Sequence, residues 1–307
     1  MIASPAPAVS DVRPVARRGS RLGGRQRAGY LFVSGYAALL LLFGAAPGGY
    51  AIYLAVTGAN GNFSGFSNFV STAKDFRFVP AFEHVGLFLL IWLVVLVVVV
   101  LALALMLHGG LRRPGAVFRF LFYIPGALAG SASVLVWLFM LDPTVSPWHF
   151  ILSAFNFSEL AQTIEPNHLP PIFAIIAFWT GAGGWIVIMN GALNNISDEV
   201  IDSAKVDGAS VWQVALRVKL PLIKKWVVYM CILAFAGGTQ LFVEPQLVGE
   251  ASLGAVSTTW SPNQLAYYMA FQNDNFSYAA AISVDLLVIG LICAALLVFR
   301  SKLFEIE

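Results

Sequence analysis

Thr239, Gln240, Glu244 and Gln246 are the polar side chains of this sequence best placed to do chemistry. They lie inside an otherwise apolar stretch, where a polar group is costly and therefore informative. Phe235 and Phe242 accompany them, and Gly237-Gly238 precedes them, which lets a neighbouring helix or a ligand come close. Amides and a carboxylate hold hydroxyl groups, and aromatic rings cover apolar faces; together they suit a sugar. Counted from Trp226 along a continuous helix, Gln240 sits roughly 21 Å in and Glu244 roughly 27 Å in. That depth marks Thr239, Gln240, Phe242, Glu244 and Gln246 as candidates for a substrate pathway. A wet position at the outer interface is the other reading of Glu244 and Gln246. Asp285 lies near the start of the last apolar stretch, where it lines a cavity, meets a partner or snorkels to the surface.

Other chemistries find little support. His84, His108, His149 and His168 are scattered, and Cys231 and Cys293 both sit in apolar stretches, so neither a metal spacing nor a disulfide framework emerges. No G-x-x-x-x-G-K-[ST] run is present, so the chain has no phosphate cradle of the usual kind. Without a His, Cys or carboxylate cluster, an enzyme embedded in the membrane is not expected.

The most polar run between apolar stretches is Asn195–Pro221, which reads as two short helices with a break. Ser197 is placed to cap the first, with Asp198 and Glu199 in the first turn, where the helix dipole favours negative charge. Ile196, Val200, Ile201 and Ala204 share one face; Asp202 and Lys205 share the other. Gly208 can adopt the left-handed conformation that ends a helix. Ser210 and Gln213 form a capping box for the second helix, and Pro221 ends it or opens the next. From periodicity alone, this is either a docking surface for a soluble partner or an amphipathic loop lying on a bilayer.

Composition points to a membrane. The 307 residues are 59% hydrophobic and 11% charged, against about 25% charged in a soluble protein. Six apolar stretches, at about 30–56, 86–107, 117–141, 171–190, 226–248 and 279–300, approach the roughly 20 residues needed to cross a bilayer. Pro47-Gly48-Gly49 predicts a kink in the first, and Pro125-Gly126 lies near the start of the third. A cleavable signal peptide, ending near Gly44-Ala45-Ala46, is the alternative for the first stretch, but apolar character resumes at Tyr50–Val56. Residues 1–28 carry six Arg and no apolar periodicity, so they read as a disordered basic tail, leaving 29–307 as the transmembrane domain. On a six-span topology with the N-terminus inside, sixteen of the eighteen Lys and Arg are cytoplasmic, as are both termini and the Asn195–Pro221 loop. The net charge of +2 gives no argument for nucleic acid. The loops at 57–85 and 142–170 then face outwards, where they either meet an external partner or simply connect. Gly181-Ala182-Gly183-Gly184, inside a span, favours close helix packing. No internal repeat supports an inverted-repeat carrier.

The loop also resembles the EAA loop of bacterial ABC-importer permeases, carbohydrate branch. Asp202-Ser203-Ala204, Gly208, Val218 and Leu220-Pro221 keep every spacing of that pattern, and Asp207-Gly208-Ala209-Ser210 resembles a run of the sugar branch. Asp202, Ser203 and Val218 depart from the usual Glu, Ala and Ile. Tyr267–Ser283 is similar to the segment before the last span of sugar permeases, whereas Leu247–Ser252 lacks that family's Thr-x-Gly-Gly-Pro turn. The resemblance implies an all-α, six-span permease fold of the type I importer kind, with a cytoplasmic coupling helix at 197–207, in the cell membrane. It implies a second permease subunit, two ATP-binding subunits carrying ATP and Mg, an external substrate-binding protein and a sugar substrate. Asp202, Ser203, Ala204, Asp207 and Gly208 would form the contact with the ATPase, and this chain would hold no cofactor. The alternative is an ion-coupled secondary transporter using Glu244 and Asp285 as coupling carboxylates.

Overall fold

The computed structural model describes residues 22–58, 60–110, 114–128, 130–252, 254 and 256–301. Among them the regular secondary structure is helical apart from one isolated antiparallel bridge between Thr57 and Phe63. It divides into two units, Met1–Tyr50 and Ala51–Glu307. The tail expected at residues 1–28 lies outside the described residues up to position 21; α1 starts at Leu22.

In the first unit, α1 (Leu22–Leu40) continues through a π turn at Leu41–Ala45 into α2 (Ala46–Ala55), whose last residues belong to the second unit. The kink expected at Pro47 takes the form of this π turn. Proline lacks the N–H that would bond four residues back, and its ring crowds that carbonyl; one residue of extra slack relieves both problems.

The second unit contains α3 (Ser67–Ala73), α4 (Phe78–Gly110), α5 (Pro114–Tyr123), α6 (Gly130–Leu141), α7 (His149–Ala154), α8 (Leu160–Thr163) and α9 (Leu169–Asn194). After them come α10 (Asp198–Val206), α11 (Val211–Gln213), α12 (Leu220–Leu222), α13 (Lys224–Gly238), α14 (Val243–Ala251), α15 (Pro262–Phe271) and α16 (Phe276–Ser301). Among the described residues, four helices are long and apolar enough to cross a bilayer singly, and the number reaches six if each of two bent pairs, Phe120–Ala127 with Gly130–Leu141 and Val211–Leu222 with Lys224–Gly238, counts as one span.

The core is built on α4 against α9. Phe88, Trp92, Leu96, Val100 and Ala104 recur every four residues along α4 and are buried. They meet Phe173, Ile176, Ile186, Met189 and Leu193 of α9 in one cluster. Leu90, Val94 and Val98, on the other side of α4, are exposed. In lipid both faces can be apolar, so close packing selects the buried one. Glycines set the approach. A Cβ at Gly183 would collide with the Phe122 carbonyl, and one at Gly126 would lie 2.8 Å from the Thr180 oxygen. The glycine run in the fourth apolar stretch therefore does serve packing.

Two spans expected to be continuous are broken. The third apolar stretch turns by 105° between α5 and α6, through a 3-10 segment at Ile124–Ala127 and an extended Leu128. Pro125 opens the bend. The fifth, read as one helix over 226–248, ends at Gly238 and resumes at Val243. Gly238 packs closely against Leu89, Phe88 and Trp92, so that a Cβ there would press on the end of the Leu89 side chain.

Candidate functional site

The loop between α9 and α13 is a compact knuckle. Ser197 stands at the N-cap of α10 with extended backbone, but its side chain makes no capping bond, contrary to the sequence reading. Asp198 and Glu199 occupy the first turn as expected. The other end of α10 closes tightly. Gly208 has φ +80, Gly208 N–H donates to Lys205 O at 3.0 Å, and Ala209 N–H donates to Ala204 O at 3.0 Å. That pair of bonds is a Schellman closure, which needs a left-handed residue at Gly208.

Ser210 then caps α11. Its N–H donates to Gln213 Oε1 at 2.7 Å, and Gln213 N–H donates to Ser210 Oγ at 3.4 Å. A second π turn, Val214–Lys219, precedes Pro221 as the first precedes Pro47. Asp202 accepts from Lys205 Nζ at 2.8 Å, an exposed pair of little energetic weight, and Ser203 Oγ donates to Val200 O at 3.0 Å. Ala204, Asp207, Gly208, Ala209, Gln213 and Arg217 help line a concavity of about 350 Å³ in the bend.

Two features of the knuckle escaped the sequence reading. Val206, Val211 and Trp212 project as an apolar knob, 87%, 81% and 73% exposed. Lys219 is buried, and its Nζ donates to His108 Nδ1 at 2.9 Å, so the knuckle's return is tied to the end of α4. A lysine and a histidine more than a hundred positions apart give no local signal for that tie.

The residues expected to form a pathway do not lie on one helix. The 27 Å depth counted for Glu244 fails because α13 stops at Gly238. Thr239–Phe242 is an unwound turn, and its freed carbonyls are satisfied by the start of α15. Asn263 Nδ2 donates to Thr239 O at 3.1 Å, and Ser261 Oγ donates to Leu241 O at 2.9 Å. Backbone polar groups at membrane depth require such partners. Gln264 Nε2 donates to Gln246 Oε1 at 3.2 Å, and Gln246 Nε2 donates to Glu250 Oε1 at 2.9 Å. Gln240 is exposed, Glu244 sits half-buried in the first turn of α14, and the Phe242 ring lies 5.4 Å from that of Tyr267. Gln246 is thus joined to the unwound turn through α15, Gln240 lies within the turn itself, and Glu244 reaches it only along the chain. Ser261-Pro262-Asn263-Gln264 is a helix-start signature visible in the sequence, and its capping box is present. Asp285 accepts a long hydrogen bond from Thr72 Oγ1, 3.4 Å, within this chain.

Comparison with known proteins gives the family and the fold. Residues 115–302 match the family described as "Binding-protein-dependent transport system inner membrane component". The chain belongs to this family. Binding-protein-dependent inner membrane components are transport subunits, so the ion-coupled alternative built on Glu244 and Asp285 gives way. The chain is a multi-pass membrane protein. It is similar to the "Diacetylchitobiose uptake system permease protein NgcF" of Streptomyces coelicolor, 28% identical over 284 residues, covering 87% of this chain and 80% of the relative. It shares its fold with the solved "bacterial ABC transporter involved in the import of the acidic polysaccharide alginate", with TM-score 0.79, 19% identity, 92% of this chain and 98% of the other. A second structure, of the alginate transporter "in complex with alginate pentasaccharide-bound periplasmic protein", gives TM-score 0.74 at 18% identity, with 92% and 98% covered.

Proposed function

We propose that this chain is one of two permease subunits of an ATP-driven saccharide importer and forms half of its translocation pathway. A second permease, two ATP-binding subunits and an extracytoplasmic binding protein complete the assembly. ATP and Mg reside on the ATP-binding subunits, and this chain holds no cofactor and hydrolyses nothing. Both termini and the knuckle face the cytoplasm, following the clustering of Lys and Arg.

The observation that carries the proposal is the knuckle. α10 is short, closed by Gly208 and backed by a capped second helix, so it passes on a displacement without stretching. Closure of the ATP-binding subunits pushes α10, and α9 and α13 tilt with it, exchanging inward and outward access. Asp202 and Ser203 offer hydrogen bonds to the ATPase, Ala204 allows close approach, and Asp207 and Gly208 shape the turn. At the other end, the unwound turn with Thr239, Gln240 and Phe242 brings amide, hydroxyl and ring together for a saccharide, and Glu244 and Gln246 flank it. The names of the relatives above, both concerned with saccharides, support that substrate class.

The test is uptake into proteoliposomes holding the assembled transporter with its binding protein. Saccharide accumulates only with ATP on the side of the ATP-binding subunits. Uptake that persists without ATP but stops when an ionophore collapses the ion gradients would overturn the proposal.

A further inference from the structure

The short helix α3 presents three different sides. Asn68, Phe69, Thr72 and the following Asp75 turn toward the rest of the unit. Asn68 Nδ2 donates to Ala55 O at 2.8 Å, and Phe69 packs with Ala55, Ala280 and Ala281. Thr72 bonds to Asp285, and Tyr278 Oη donates to Asp75 Oδ2 at 2.9 Å. Tyr278 and Asp285 lie within roughly the first 15 Å of α16, so α3 is clamped alongside one end of that span. α3 lies just before the start of α4, whose far end is tied to the knuckle through His108 and Lys219, so α3 occupies the opposite boundary of the membrane.

The remaining two sides are both exposed. Phe66, Val70 and Ala73 make an apolar strip, extended by Phe63 and Phe76; Ser67, Ser71 and Lys74 make a polar strip beside it. Asp75 and Arg77 pair with each other at 2.7 Å, which leaves Lys74 as the unbalanced charge of α3 and its flanks.

We propose that α3 is a membrane-boundary foot: its apolar strip inserts among the acyl chains of the leaflet opposite the knuckle, and Lys74 meets lipid phosphates. A surface changing from apolar to charged across the width of one helix matches a medium that changes from hydrocarbon to water over the same distance. Aromatic residues concentrate at that boundary. The foot steadies α16 against the tilting of its neighbours. This rests on the membrane-spanning reading but not on the coupling or the substrate, so transport assays are independent of its outcome.

The test places the assembled transporter in nanodiscs with a lipid carrying a photoactivatable acyl chain, and adducts are mapped by mass spectrometry. Phe66 and Val70 should be labelled as Leu90 and Val94 of α4 are, with Ser67 and Ser71 unlabelled. Labelling of α4 without labelling of Phe66 and Val70 would overturn the proposal. A second measurement attaches an environment-sensitive dye through Val70→Cys or Ser71→Cys in a chain with Cys231→Ser and Cys293→Ser. Severalfold stronger quenching by spin-labelled lipid at position 70 is expected; equal quenching, or none at either position, also overturns it.

Discussion

At the scale of the residue, two positions carry the heaviest constraints. Gly208 has φ +80 with open space around it, so a side chain there meets strain rather than a clash. A left-handed conformation costs other residues about 1–2 kcal/mol. Gly208→Leu should leave the protein in the membrane while ATP hydrolysis continues and uptake falls at least tenfold; wild-type uptake would refute the turn's role. Gly183 is constrained by contact instead. Gly183→Ala should part α5 from α9 and lower the thermal unfolding midpoint of the purified transporter, and an unchanged midpoint would contradict the packing described. Asp75 gives a pH signature. Its hydrogen bonds to the Arg77 guanidinium hold the carboxyl at about 2, below the usual 3.8. The folded value is the lower one, so the clamp on α3 is complete above the unfolded value and is lost as pH falls toward about 2. Hydrogen exchange in α3 should therefore rise across that window in the wild type, and Asp75→Asn should flatten the response.

At the scale of the element, the unwound turn after α13 depends on α15 for its hydrogen bonds. Ser261→Ala and Asn263→Ala each remove a donor to a carbonyl of that turn. A buried group left unsatisfied costs about 1–3 kcal/mol, so each should weaken saccharide uptake and loosen the turn in hydrogen exchange. The same element shows what was legible in the sequence. The six apolar stretches and the two-helix loop could be read from composition, spacing, Gly208 and the Ser210-Gln213 pair, because those signals are local. The break at Thr239 could not, because the donors that satisfy its carbonyls come from Ser261 and Asn263, twenty or more positions away. Nor could the buried face of α4, which is apolar all round. Proline was a better guide than glycine: Pro47, Pro125 and Pro221 each sit at or just past a departure from α-helix.

At the scale of the whole molecule, the chain displays a strongly exposed apolar knob of Val206, Val211 and Trp212 on the loop between α9 and α13. In the proposed assembly that knob is the surface the driving subunit meets. The proposed coupling reduces to one claim, that force enters this chain at α10 from a nucleotide-hydrolysing partner. Cross-linking from Val206→Cys in the assembled transporter, in sealed vesicles, tests it most directly. The expected product joins this chain to the ATP-binding subunit and forms from the cytoplasmic side, with a yield that changes when ATP is added. A thiol at 206 that reacts with an impermeant reagent from the outside, or that never joins an ATP-binding subunit, would contradict it.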